Sequence, residues 1–66
     1  MIVTLNGAEC EIEDGMTVAA LITARTGSSR GTAAVVDGAV VPRSAWETTE
    51  LRAGQAVELI TAVQGG

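Results

Sequence analysis

The chain has no histidine, lysine, tyrosine or phenylalanine, and only one cysteine, one proline and one tryptophan. Without histidine there is no imidazole base, no histidine metal ligand and no histidine-containing triad, so hydrolase and zinc-site chemistries fall away. A lone Cys10 permits neither an intrachain disulfide nor a Cys-x-x-Cys pair, which fits a reducing cytosol. Its expected role is a small buried apolar residue, with a reactive thiol as the alternative. Positive charge is also scarce: four arginines stand against eight acidic residues, for a net charge of −4. Phosphate binding draws on clustered cations, so nucleic acid is excluded as a partner. The longest apolar run, Val18-Ala19-Ala20-Leu21-Ile22, is far shorter than the roughly 20 residues that span a bilayer, so no membrane is implied. No signal peptide is expected, and the cytoplasm is the expected compartment.

What is present fits one small domain covering residues 1–66. Hydrophobic residues make up 47% of the chain, enough for a folded globule. A domain of this size buries only about 60% of its unfolded surface, so the core is small and the protein is expected to work by presenting a surface.

The opening residues Met1 to Leu5 are rich in Ile, Val and Thr, and Asn6-Gly7 supplies the two positive-φ positions of a tight hairpin turn. Ala8 to Glu13 then alternates, with Ala8, Cys10 and Ile12 on one face and Glu9, Glu11 and Glu13 on the other, as in a solvated edge strand. After Asp14-Gly15 the period becomes helical. Thr17 is the expected N-cap, Val18, Leu21 and Ile22 recur on one side, and Gly27 is the expected C-terminal stop of a helix of about nine residues.

Gly27-Ser28-Ser29-Arg30-Gly31 is a surface loop and lacks the spacing and lysine of a phosphate-binding loop. Ala33 to Val36 and Ala39 to Val41 form a second, shorter hairpin around Asp37-Gly38, closed by Pro42. From Pro42 to Leu51 no period holds; Ser44 is a candidate cap for a helical turn containing Trp46, which is expected to close one end of the core, with a partner-facing role as the alternative. Ala53-Gly54 makes a turn. Ala56 to Val63 alternates as a long final strand, with Val57, Leu59 and Val63 opposite Glu58, Ile60 and Ala62.

Hairpin, helix, short hairpin, irregular crossover and final strand is the order of an α+β domain. The expected architecture is a ubiquitin-like β-grasp: a mixed sheet of four to five strands, first and last paired in parallel at the centre, with one helix on a single face. Val3, Leu5, Cys10, Ile12, Leu21, Ile22, Val57 and Leu59 are the expected core. Ile2, Val35 and Ile60 are expected at the open face as a docking patch, with Val35 and Val36 equally eligible for the outward position.

The chain ends in a tail, residues 64–66, whose last two residues are Gly65-Gly66. Glycines without Cβ atoms can thread a narrow channel and carry a terminal carboxylate into another protein's active site. A frayed glycine-rich terminus has the same composition.

Four segments together carry a resemblance to a known family: Ile2-Val3-Thr4-Leu5-Asn6-Gly7; Asp14-Gly15-Met16-Thr17-Val18 with Leu21 and Ile22; Val40-Val41-Pro42-Arg43-Ser44-Ala45-Trp46; and Gly65-Gly66. The whole resembles the thiamine-biosynthesis sulfur carrier proteins, the ThiS family. The third segment is the most specific, because terminal Gly-Gly is shared with ubiquitin and many relatives. One departure is Ala53-Gly54-Gln55, where members often carry Asp-Gly-Asp.

The resemblance implies a carrier with no catalytic activity and no cofactor of its own. An E1-like adenylyltransferase of the ThiF type would use ATP and magnesium to adenylate the Gly66 carboxylate. A cysteine-derived persulfide, from a donor such as a cysteine desulfurase, would convert the adenylate to a thiocarboxylate, and a thiazole synthase of the ThiG type would receive the sulfur. Gly65 would be the spacer and Ile60 part of the docking face. Sulfur carriers for molybdopterin, cysteine or tRNA thiolation share the same outline. A β-grasp binding module with an incidental tail is the alternative from another class. A small enzyme is the weakest reading, because no nucleophile and base can be paired from these residues.

Overall fold

The computed structural model describes residues 1–27 and 31–61. Asn6 and Gly7 adopt φ of 49° and 84°, the two left-handed positions that a two-residue hairpin turn requires. They join β1 (Ile2–Leu5) to β2 (Ala8–Glu11), which pair antiparallel with Val3 opposite Cys10. Asp37 and Gly38 repeat the device, at φ of 50° and 82°, between β3 (Thr32–Val36) and β4 (Ala39–Val41). The last strand, β5 (Ala56–Thr61), lies between the hairpins, parallel to β1 and antiparallel to β3. The sheet order is therefore β2-β1-β5-β3-β4, and with one helix on one face the fold is the ubiquitin-like β-grasp that the element order predicts. Residues 62 and 63 of the expected final strand lie outside the described residues.

Both turns also hold the central strand. The Asn6 side-chain Oδ1 accepts from the Leu59 backbone N–H at 2.9 Å, and Asp37 Oδ1 accepts from the Ala56 N–H at 2.9 Å. Asn6 and Asp37 additionally donate their own N–H groups to the carbonyls of Val57 and Ala56. The two turn residues thus satisfy backbone groups of β5 that lie where its neighbours end.

Helix α1 (Val18–Thr26) has the predicted boundaries. Thr17 Oγ1 accepts from the Ala20 N–H at 3.1 Å, and Gly27, at φ 70°, returns its N–H to the Thr23 carbonyl. The first helical N–H groups have no partners within the helix, and the irregular segment supplies them: Val18 N–H donates to the Thr49 carbonyl and Ala19 N–H to that of Trp46. Met16 accepts from the Leu51 N–H in the same join.

Val18, Leu21 and Ile22 pack on Val3, Leu5, Ile12, Ala34, Val36, Val57 and Leu59, and the core is closed by Trp46 and Leu51. Trp46 is buried, and its indole Nε1–H donates to the Val41 carbonyl at 2.8 Å, so the polar end of the ring is satisfied.

Two expectations are corrected. Cys10 is half-buried at the sheet edge and not a full core member; it packs against the core while its Sγ accepts from Arg25 on α1. Ser44 caps nothing: it lies inside a 3-10 turn, Arg43–Ala45, whose N-terminal flank is Pro42, with no side-chain cap. Proline needs no cap to start this turn, because its ring already fixes φ, here −64°.

Candidate functional site: the open sheet face

Because directly paired residues point to the same side of a sheet, the register fixes which side chains share the face opposite α1. Val36 is buried against the core, so Val35 is the outward residue of the pair that sequence alone left undecided. Val35 pairs with Val40 on one side and Glu58 on the other, forming a cross-sheet row from β4 through β3 to β5. The next row pairs Ala33 with Ile60, and the strand ends at Thr61 opposite Thr32. Val40 is 71% exposed and Ile60 56% exposed, far more than apolar side chains of a small domain need to be.

Ile2 is on the same face and 49% exposed, but it is not part of this patch. Thr4 pairs with Ala56, so Ile2 lies two residues toward one end of the sheet while Ile60 lies four residues toward the other. At about 3.3 Å per residue their separation along the strands is about 20 Å. Thus the structure brings Val35 and Ile60 together, adds Val40 and Ala33, and sets Ile2 apart. Val40 is not among the docking residues expected from sequence, although a two-residue turn at Asp37-Gly38 fixes its pairing with Val35 and signals it. Glu9 and Glu11, opposite Thr4 and Ile2, form the acidic margin of the face on edge strand β2.

On the helix side, a groove of about 380 Å³ runs between Ala19, Ile22 and Thr23 of α1 and the segment holding Arg43, Trp46 and Glu47. The Arg43 guanidinium stands 5.9 Å from the centroid of the Trp46 ring, within range of a cation–π contact. Ser44 lines this groove together with Thr23 and Glu47, and among the described residues neither surface gathers three metal-ligating side chains. No helix among the described residues is long and apolar enough to cross a membrane. The predicted attachment residue Gly66 and its spacer Gly65 lie outside the described residues.

No curated protein matches the sequence. Among solved structures, the crystal structure of the thiamine biosynthesis protein ThiS from Geobacter metallireducens is similar with a TM-score of 0.84 and 26% identity, covering 100% of both chains. A solution structure of a thiamine biosynthesis protein from the same organism gives 0.83 and 26%, covering 100% of this chain and 88% of the other. The ThiS family model matches residues 3–66, through both terminal glycines. The chain belongs to the ThiS family.

Proposed function

We propose that the protein is a sulfur carrier of thiamine biosynthesis whose working group is the Gly66 carboxylate. The observation that carries this reading is the family match, which runs through Gly65 and Gly66. A free carboxylate is a poor electrophile. An E1-like adenylyltransferase therefore first joins it to the α-phosphoryl group of ATP, with magnesium, and releases pyrophosphate. A persulfide sulfur next attacks the acyl carbon and expels AMP, and cleavage of the resulting S–S bond by a thiol leaves a thiocarboxylate on Gly66. Thiazole synthase accepts that sulfur. The carrier itself supplies no catalytic group.

The division of the molecule supports this sequence of partners. Ile60 is the penultimate residue of β5, with Val35 and Val40 on β3 and β4 beside it, so the patch lies toward the end of the strand that leads into the tail. Gly65 serves as the spacer, since a residue without Cβ passes where others clash.

The test is the intact mass of the protein after incubation with ATP, magnesium, the host's E1-like adenylyltransferase and a sulfur donor. The expected result is a gain equal to sulfur replacing oxygen, mapped to Gly66 and absent when Gly66 is deleted. A gain that survives the deletion, or no gain with a demonstrably active enzyme, would overturn the carrier reading and favour a binding module.

A further inference from the structure

Glu58 is anomalous in its surroundings. It is exposed on the central strand β5, opposite Val35, with Ala56 and Ile60 as its neighbours along the same face and Val40 one strand further out. Glu9 and Glu11, by contrast, sit on the edge strand, where charge is ordinary. Among the described residues Glu58 takes part in no salt bridge. Arg25 belongs to α1, Arg43 lines the groove on the helix side, and Arg52 lies in the turn that leads into β5 without bridging to Glu58.

A partner that covers Val35, Val40 and Ile60 also covers Glu58. Removing an unpaired carboxylate from water is strongly unfavourable, whereas a carboxylate met by a cation is tolerated. We propose that Glu58 determines how the E1-like adenylyltransferase docks on this face: that enzyme sets a guanidinium or ammonium group against the Glu58 carboxylate inside an otherwise apolar contact. Apolar surfaces that lack such a group are rejected. The inference rests on the carrier reading and adds to it the chemistry of the partner's surface. The rival explanation is that Glu58 only keeps an apolar face from self-associating, in which case neutralising it leaves docking unchanged.

The experiment is ATP–pyrophosphate exchange by the host's E1-like adenylyltransferase, with the full chain varied as the carrier at low and high salt. Glu58→Gln raises KM for the carrier about tenfold with kcat within about twofold, and weakens the salt dependence of KM. Glu58→Asp, which keeps the charge, stays within about threefold of the parent, as does the Glu9→Gln, Glu11→Gln pair. A KM for Glu58→Gln within twofold of the parent overturns the proposal, and so does an equal effect from the Glu9 and Glu11 pair, which would signify general charge steering. If the parent chain itself supports no exchange with an active enzyme, the carrier reading fails and this inference falls with it. Exchange by the parent together with an unaffected Glu58→Gln overturns this inference alone.

Discussion

At Asn6 the backbone conformation and the side-chain bond to β5 are separable by substitution. Asn6→Gly keeps the positive φ without strain and removes only the acceptor for Leu59 N–H, so a loss of about 1 kcal/mol is expected. Asn6→Ala adds the cost of a left-handed backbone in a residue with a Cβ, for a total of about 2 kcal/mol. Urea denaturation of the two variants distinguishes these contributions; equal losses would mean that the turn conformation contributes nothing beyond the bond. The turn itself was legible, because Asn-Gly between alternating strands has few other uses. Its reach to Leu59, 53 residues away, was not, since local preference carries no information about a tertiary partner. Trp46 divides in the same way: its burial follows from being the only large aromatic residue, while its bond to Val41 depends on where β4 ends.

Among the elements, α1 is short enough that its ends matter. A nine-residue helix is marginal in isolation, and this one is held by its apolar face, its caps and the carbonyls of the crossover. Thr17→Ala removes the side-chain acceptor for Ala20 N–H and should lose about 1 kcal/mol. Gly27→Ala meets no atom within 4 Å but forces alanine to φ 70°, at a cost of about 1 kcal/mol or slightly more. Being at opposite ends of the helix, the two losses should sum in the double variant, which thermal and urea unfolding can check; marked non-additivity would show that the caps are coupled through the helix. Both caps were readable from residue type and spacing. The segment from Pro42 to Leu51 was not, and the reason is visible: the Trp46 and Thr49 carbonyls face the start of α1, so its conformation answers to another element's unpaired N–H groups. A segment shaped in that way has no period to read, and Leu51 was accordingly missed as a core residue.

For the molecule as a whole, the open face was legible as a face but not as a map. Alternation assigned Ile2 and Ile60 outward, but only the β1–β5 register places them at opposite ends of the sheet. Opposite responses follow. Ile60→Glu should weaken binding to the E1-like adenylyltransferase at least about tenfold, because it introduces a charge into the apolar patch. Ile2→Glu, about 20 Å away along the strands, should leave it within about twofold. Isothermal titration with both variants checks this, and equal losses would place the contact across the full length of the sheet. Ile60→Glu should alter stability by no more than about 0.5 kcal/mol, since the side chain already faces solvent, whereas Ile2→Glu sets a carboxylate directly opposite Glu11 and should cost up to about 1 kcal/mol.

The position of β5 bears on what happens when the chain is pulled. Load applied beyond Thr61 enters the strand that lies between β1 and β3, whose ladder bonds run across the strand direction. Tension along β5 therefore shears many bonds at once and does not peel them singly, and the Asn6 and Asp37 side chains add two further crosslinks to the same strand. An unfolding machine that starts from that end first meets a strand paired on both sides, and has to break both ladders to extract it.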